Sequence, residues 1–114
     1  MDDIRIAVEI PEFSGIDLSD EFLGGLEDAL GDVASERGRH LQRGYNNAHD
    51  DAHSLSELVE QTRIQLQKIG PDTGDAEYRE RMVQVAAVAV AAVQSFDRRQ
   101  RRAARRAAAE AAHG

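Results

Sequence analysis

The chain has 114 residues, 41% of them hydrophobic but only 4% aromatic, so Ala, Val and Leu must pack the one core that this length allows. There are no cysteines, which excludes disulfides and thiolate metal sites and leaves His, carboxylate and carbonyl groups as the only metal ligands. The net charge of −7 is unevenly spread: residues 1–97 hold 20 acids and 8 bases, whereas residues 98–114 hold six arginines and one glutamate. The body should repel nucleic acid, while the basic end can attract an acidic surface or fold onto a neighbouring acidic one.

In chain order, Ile4, Ile6, Val8 and Ile10 alternate with Arg5, Ala7 and Glu9. That period of two predicts a short strand or extended arm over about residues 3–11, limited by Pro11. Ser19 is a predicted N-cap. The helix after it carries Phe22, Leu23, Leu26, Ala29, Leu30 and Val33 at helical spacing, weakened by Gly24 and Gly25 and open to a kink at Gly31. Residues 34–43 should continue as helix, with Gly44 as the stop. Residues 45–53 are polar and predicted to be irregular.

Ser54-Leu55-Ser56-Glu57 matches a capping box. Leu55, Leu58, Val59, Thr62, Leu66 and Ile69 then mark a helical face that ends at Gly70-Pro71. A long last helix follows the loop 72–75. Its stretch 82–96 is Ala/Val-rich on nearly every side and is predicted to be the centre of a bundle. Residues 98–114 are expected to form an Arg/Ala-rich helical tail that projects from the 1–97 body and frays. The fold class expected is all-α, a small helical bundle. The acidic start and the short apolar run predict no secretory signal and no membrane span, hence a soluble, cytoplasmic protein.

Chemistry-bearing groups concentrate between residues 36 and 60. His49, His53 and Glu57 are spaced by four, Asp50 and Asp51 adjoin them, and Glu60 follows Glu57. On one helix face such oxygen and imidazole groups can hold a divalent cation: the carboxylates favour Mg²⁺ or Mn²⁺, and two histidines with a carboxylate also suit Zn²⁺ or Fe²⁺. The same aspartates are equally read as acids favoured at a helix N-terminus beside exposed histidines. Upstream, Arg37 and Arg39 are candidates for bidentate phosphate binding, with Glu36 as a further metal ligand, or else form a solvated face with internal ion pairs. Residues 98–106 are a candidate nucleic-acid contact, although no aromatic side chain lies among them.

The pattern Glu36-Arg37-Gly38-Arg39, Gly44-Tyr45, His49-Asp50-Asp51-Ala52-His53 and Glu57-Leu58 resembles a segment recurring in small phage and bacterial proteins. The run Met82-Val83-Gln84-Val85-Ala86-Ala87-Val88-Ala89-Val90 is similar to the last core helix of MazG-like proteins of actinobacteria and their bacteriophages. The resemblance implies an all-α, commonly oligomeric nucleoside triphosphate pyrophosphohydrolase-type fold, in which carboxylates on two helices hold Mg²⁺ against a nucleotide. It maps Glu57 and Glu60 onto the first acidic pair, with Glu80 near the second. Arg81 and Gln84 stand where the second pair of carboxylates falls. The function expected is therefore nucleotide binding, with hydrolysis dependent on a complete metal site. The alternative is a non-catalytic phage-type protein that binds a host protein or nucleic acid through its helical scaffold and arginine tail.

Overall fold

The computed structural model describes residues 19–113, together with Ile6. Among these residues there are four helices and no strand: α1 (Asp20–Gln42), α2 (Asn47–Asp51), α3 (Leu55–Gln67) and α4 (Asp75–His113). The expected strand at residues 3–11 lies outside the described residues, apart from Ile6.

Local capping sets most of the boundaries. The Ser19 hydroxyl accepts from the Phe22 amide at 3.2 Å and starts α1. α1 then runs unbroken through Gly24, Gly25 and Gly31, so Gly31 does not break the helix. Packing accounts for this: Leu26, Leu30, Val33 and Arg37 form an inward stripe, and Val33 and Gly31 are buried. Gly44, at φ 91°, supplies the left-handed residue that ends α1. In α3 the Ser54 hydroxyl accepts from the Glu57 amide, and the Glu57 carboxylate accepts from the Ser54 amide, closing the capping box. The Gly70 amide donates to the Thr73 hydroxyl at 2.9 Å in the turn leading to α4.

Residues 45–53 depart from expectation. Asn46 caps the five-residue helix α2 by accepting from the His49 amide at 3.0 Å. α1, α2 and α3 all pack on α4. Their common core is small: among the described residues the buried apolar side chains are Val33, Leu58, Ala87 and Ala91. Two sequence expectations are corrected here. Residues 82–96 do not lie at the centre on all sides, because Met82, Val93 and Phe96 are exposed. On α3, Leu55, Val59 and Leu66 are also exposed; of the expected face Leu58 is buried and Thr62 and Ile69 are half-buried, joined inward by Gln61 and Gln65.

The expected tail is the end of the long last helix, and residues 103–113 are exposed. α4 passes through position 98 without a break and continues to His113. No described helix is long and apolar enough to cross a membrane.

Candidate functional site

α1 and α3 lie against α4 and leave a cleft of about 430 Å³ between them. α1 contributes Glu36, Arg37 and His40; α3 contributes Leu58, Gln61, Ile64 and Gln65, with Lys68 at its end. Gln84, Val88 and Ala91 of α4 form the floor, and Arg43, Tyr45, His49 and Asp50 close one end. Sequence reasoning singled out Glu36, Arg37, His49 and Asp50 but missed the rest. The signal available was the polar set Gln61, Gln65 and Lys68, repeating on the helical face of Leu58.

The two adjacent aspartates serve different neighbours. Asp50 points to α1, where its Oδ2 lies 3.5 Å from the Arg37 guanidinium, both side chains being largely buried. Its Oδ1 is 3.3 Å from His49 Nδ1. Asp51 points to α4. Its Oδ1 accepts from the Ser95 hydroxyl at 2.7 Å and from Arg98 at 2.9 Å, and its Oδ2 accepts from Arg102 at 2.7 Å. The Arg98 hydrogen bond, joined by those from Ser95 and Arg102, holds the Asp51 carboxyl well below the usual carboxylate range despite burial. Arg98 is pushed up in turn by Asp51.

Arg99 completes the tie. Its guanidinium donates to the carbonyls of Asp50, Asp51 and His53, a cation placed on the C-terminal carbonyls of α2. A five-residue helix is too short to hold itself. α2 is therefore fixed by α4, and fixing it sets His49 and Asp50 at the end of the cleft. Three of the six arginines at 98–106 are thus turned to the body rather than free for an external partner; Arg101, Arg105 and Arg106 are exposed.

Glu36 is buried at the cleft wall and meets Arg39 at 2.5 Å and His40 Nε2 at 3.2 Å. His40 Nδ1 lies 3.4 Å from Arg37. A neutral imidazole protonated on Nε2 satisfies both contacts, donating to Glu36 and accepting from Arg37. Burial lowers the His40 pKa, with Glu36 opposing, in agreement with that tautomer. The rings of His40, Tyr45, His49 and His53 then follow one another, at centroid separations of 6.3, 5.0 and 4.8 Å. His53 Nδ1 donates to the His49 carbonyl at 2.9 Å.

The expected metal ligands do not converge. Among the described residues no group of three or more His, Asp or Glu side chains is arranged to hold a metal ion. Glu57 is exposed and used by the capping box, whose hydrogen bonds lower its pKa. Glu60 is exposed and paired with Arg63 at 2.5 Å. Glu80 is exposed at the start of α4, Asp51 belongs to the arginine cluster, and Glu36 and Asp50 have their own cations. Arg39 engages Glu36 and is absent from the cleft lining, so of the two predicted phosphate-binding arginines only Arg37 lines it.

Among the described residues, two buried side-chain atoms find no hydrogen-bond partner: Arg37 Nε, a donor, and Gln65 Oε1, an acceptor. Both belong to residues that line the cleft. Unpaired buried polar groups cost about 1–3 kcal/mol each, and a ligand that pairs them recovers that cost.

Comparisons of the chain with known protein families, with curated proteins and with solved structures find no match.

Proposed function

We propose that the chain binds a nucleoside triphosphate, or a similar nucleotide bearing several phosphates, in the cleft between α1 and α3. The observation that carries this reading is the convergence of Arg37, Arg43 and Lys68 on one cleft in a chain of net charge −7. The same lining holds the carboxylates Glu36 and Asp50, the latter 3.5 Å from Arg37, so the excess positive charge rests on Arg43 and Lys68, which are in no ion pair among the described residues. The volume suits a small-molecule ligand. Leu58, Ile64, Val88 and Ala91 offer an apolar surface for a base, and Gln61, Gln65 and Gln84 offer amides for its polar edge.

The resemblance to MazG-like proteins agrees with nucleotide as the ligand class. Its metal-dependent hydrolysis has weaker support, because Glu57, Glu60 and Glu80 lie outside the cleft lining and Gln84 presents an amide on the floor. The proposal is accordingly for binding, and Mg²⁺ and Mn²⁺ enter its test as additions with the nucleotide. Calorimetric titration with the four ribo- and four deoxyribonucleoside triphosphates, with and without each metal, is the direct assay. Binding that weakens about five- to tenfold in Arg43→Ala and in Lys68→Ala is the expected result, the loss of one charge-assisted contact each. Absence of heat at millimolar nucleotide, or binding indifferent to both substitutions, refutes it.

The second reading, an interaction protein that contacts nucleic acid through residues 98–106, has the three exposed arginines Arg101, Arg105 and Arg106 behind it. Salt-sensitive DNA or RNA binding lost on removing residues 103–114 supports that reading, and its absence removes it.

A further inference from the structure

α4 has two apolar faces. One, with Ala87, Ala91 and Ser95, is buried against the other helices. The other carries Tyr78, Met82, Val85, Ala89, Ala92 and Phe96, spaced 4-3-4-3-4 along the sequence. That alternation is the seam of a two-helix coiled coil, and it runs for about 27 Å along the helix. Tyr78 is 52% exposed and Phe96 46%, with Met82 and Val93 also exposed. The intervening Val85, Ala89 and Ala92 are half-buried. The ends of this seam are open among the described residues, and the chain's own core is small.

We propose that a second copy of the chain covers it, with the two α4 helices packed antiparallel about a twofold axis level with Ala87. The spacing is self-complementary about that level. Tyr78 of each copy meets Phe96 of the other, Met82 meets Ala92, and Val85 meets Ala89, each large side chain at the ends and small ones near the middle. Such an isologous contact closes on itself as a dimer.

Charge selects both the occupant and its direction. The start of α4 and the loop before it carry Asp72, Asp75, Glu77 and Glu80 against Arg79 and Arg81, a net acidic end, whereas residues 98–106 carry six arginines. Arg101, Arg105 and Arg106 are exposed and in no ion pair among the described residues. The antiparallel pair lays each arginine-bearing end over the acidic end of its partner. A parallel pair would set arginines against arginines and acids against acids. This inference stands on the outer face of α4 and is independent of the cleft.

The test is a concentration series of the full chain by sedimentation equilibrium, joined to cysteine cross-linking, which the cysteine-free sequence makes unambiguous. The wild type sediments at twice the chain mass, and Met82→Asp and Phe96→Asp each move it to one chain mass with helicity retained. Single Tyr78→Cys and Phe96→Cys chains give covalent dimers when mixed and oxidised, but not when oxidised separately. A wild type monomeric throughout the series overturns the inference. So does a dimer that survives both aspartate substitutions, or one that cross-links only between identical positions. A monomer in which Phe96→Cys links to Ile6→Cys gives the seam to the chain's own amino-terminal segment, and equally overturns it.

Discussion

Asp51→Ala is expected to destabilise the fold by about 2–4 kcal/mol, far more than a surface carboxylate would cost. The Asp51 and Arg98 side chains are only 9% and 15% exposed, and the carboxylate also takes hydrogen bonds from Ser95 and Arg102. Removing it strands the Arg98 guanidinium and the Ser95 hydroxyl, the latter on a residue with no exposed surface. Breaking a buried pair costs about 3–5 kcal/mol. The lower figure reflects Arg102, which is half-exposed and returns to water without penalty. Urea denaturation followed by circular dichroism reads the change, and a cycle with Arg98→Ala isolates the pair. The double variant should be less destabilised than the sum of the singles by about 1.5–3 kcal/mol.

The pH dependence has a definite sign. The folded-state pKa of Asp51 is depressed, so its contribution is present above the unfolded value near 3.8 and is lost as pH falls below that toward the folded value. The acid limb of the stability curve should therefore be shallower in the variant. A loss under about 0.5 kcal/mol at neutral pH, with additive singles, would refute the tie between α2 and α4.

Ser54→Ala removes the capping box and should lower stability by about 1 kcal/mol without altering nucleotide affinity, as thermal denaturation and titration report. His40 has a depressed pKa, so its contribution to stability is present above its unfolded value near 6.5 and declines as pH falls through its folded value. His40→Gln should flatten the stability profile over that interval, and an unchanged profile would show that the imidazole is not neutral in the fold.

How far the fold could be read from the sequence follows the range of the interactions. Ser19, Ser54 and Gly44 act within three or four residues, and each marks its boundary as expected, whereas α3 stops at Gln67, three residues before Gly70-Pro71. α2 was not legible, because Asn46 is a weak signal alone and the holding contacts come from Arg98, Arg99 and Arg102, more than 40 positions away. The same distance explains why these arginines read as a projecting basic tail and not as partners of α2. Glu57 and Glu60 suggested metal ligands by their spacing, yet Ser54 and Arg63 stand within three residues and take them first. Spacing records which groups can share a face, not which partner is nearer. Asp50 and Asp51 carry the same lesson: adjacent on a short helix, they turn to α1 and to α4.

The cleft was half legible. Arg37, His49 and Asp50 stood out by charge, but Gln61, Gln65 and Gln84 look like surface amides until α1 and α3 are set against α4. A heteronuclear NMR titration of the full chain with a nucleoside triphosphate tests this site most directly. Perturbations concentrated at Arg37, His40, Arg43, Gln65, Lys68 and Gln84, and saturating with nucleotide, are the predicted result. Shifts confined to Arg101, Arg105 and Arg106, or none at millimolar nucleotide, would contradict it.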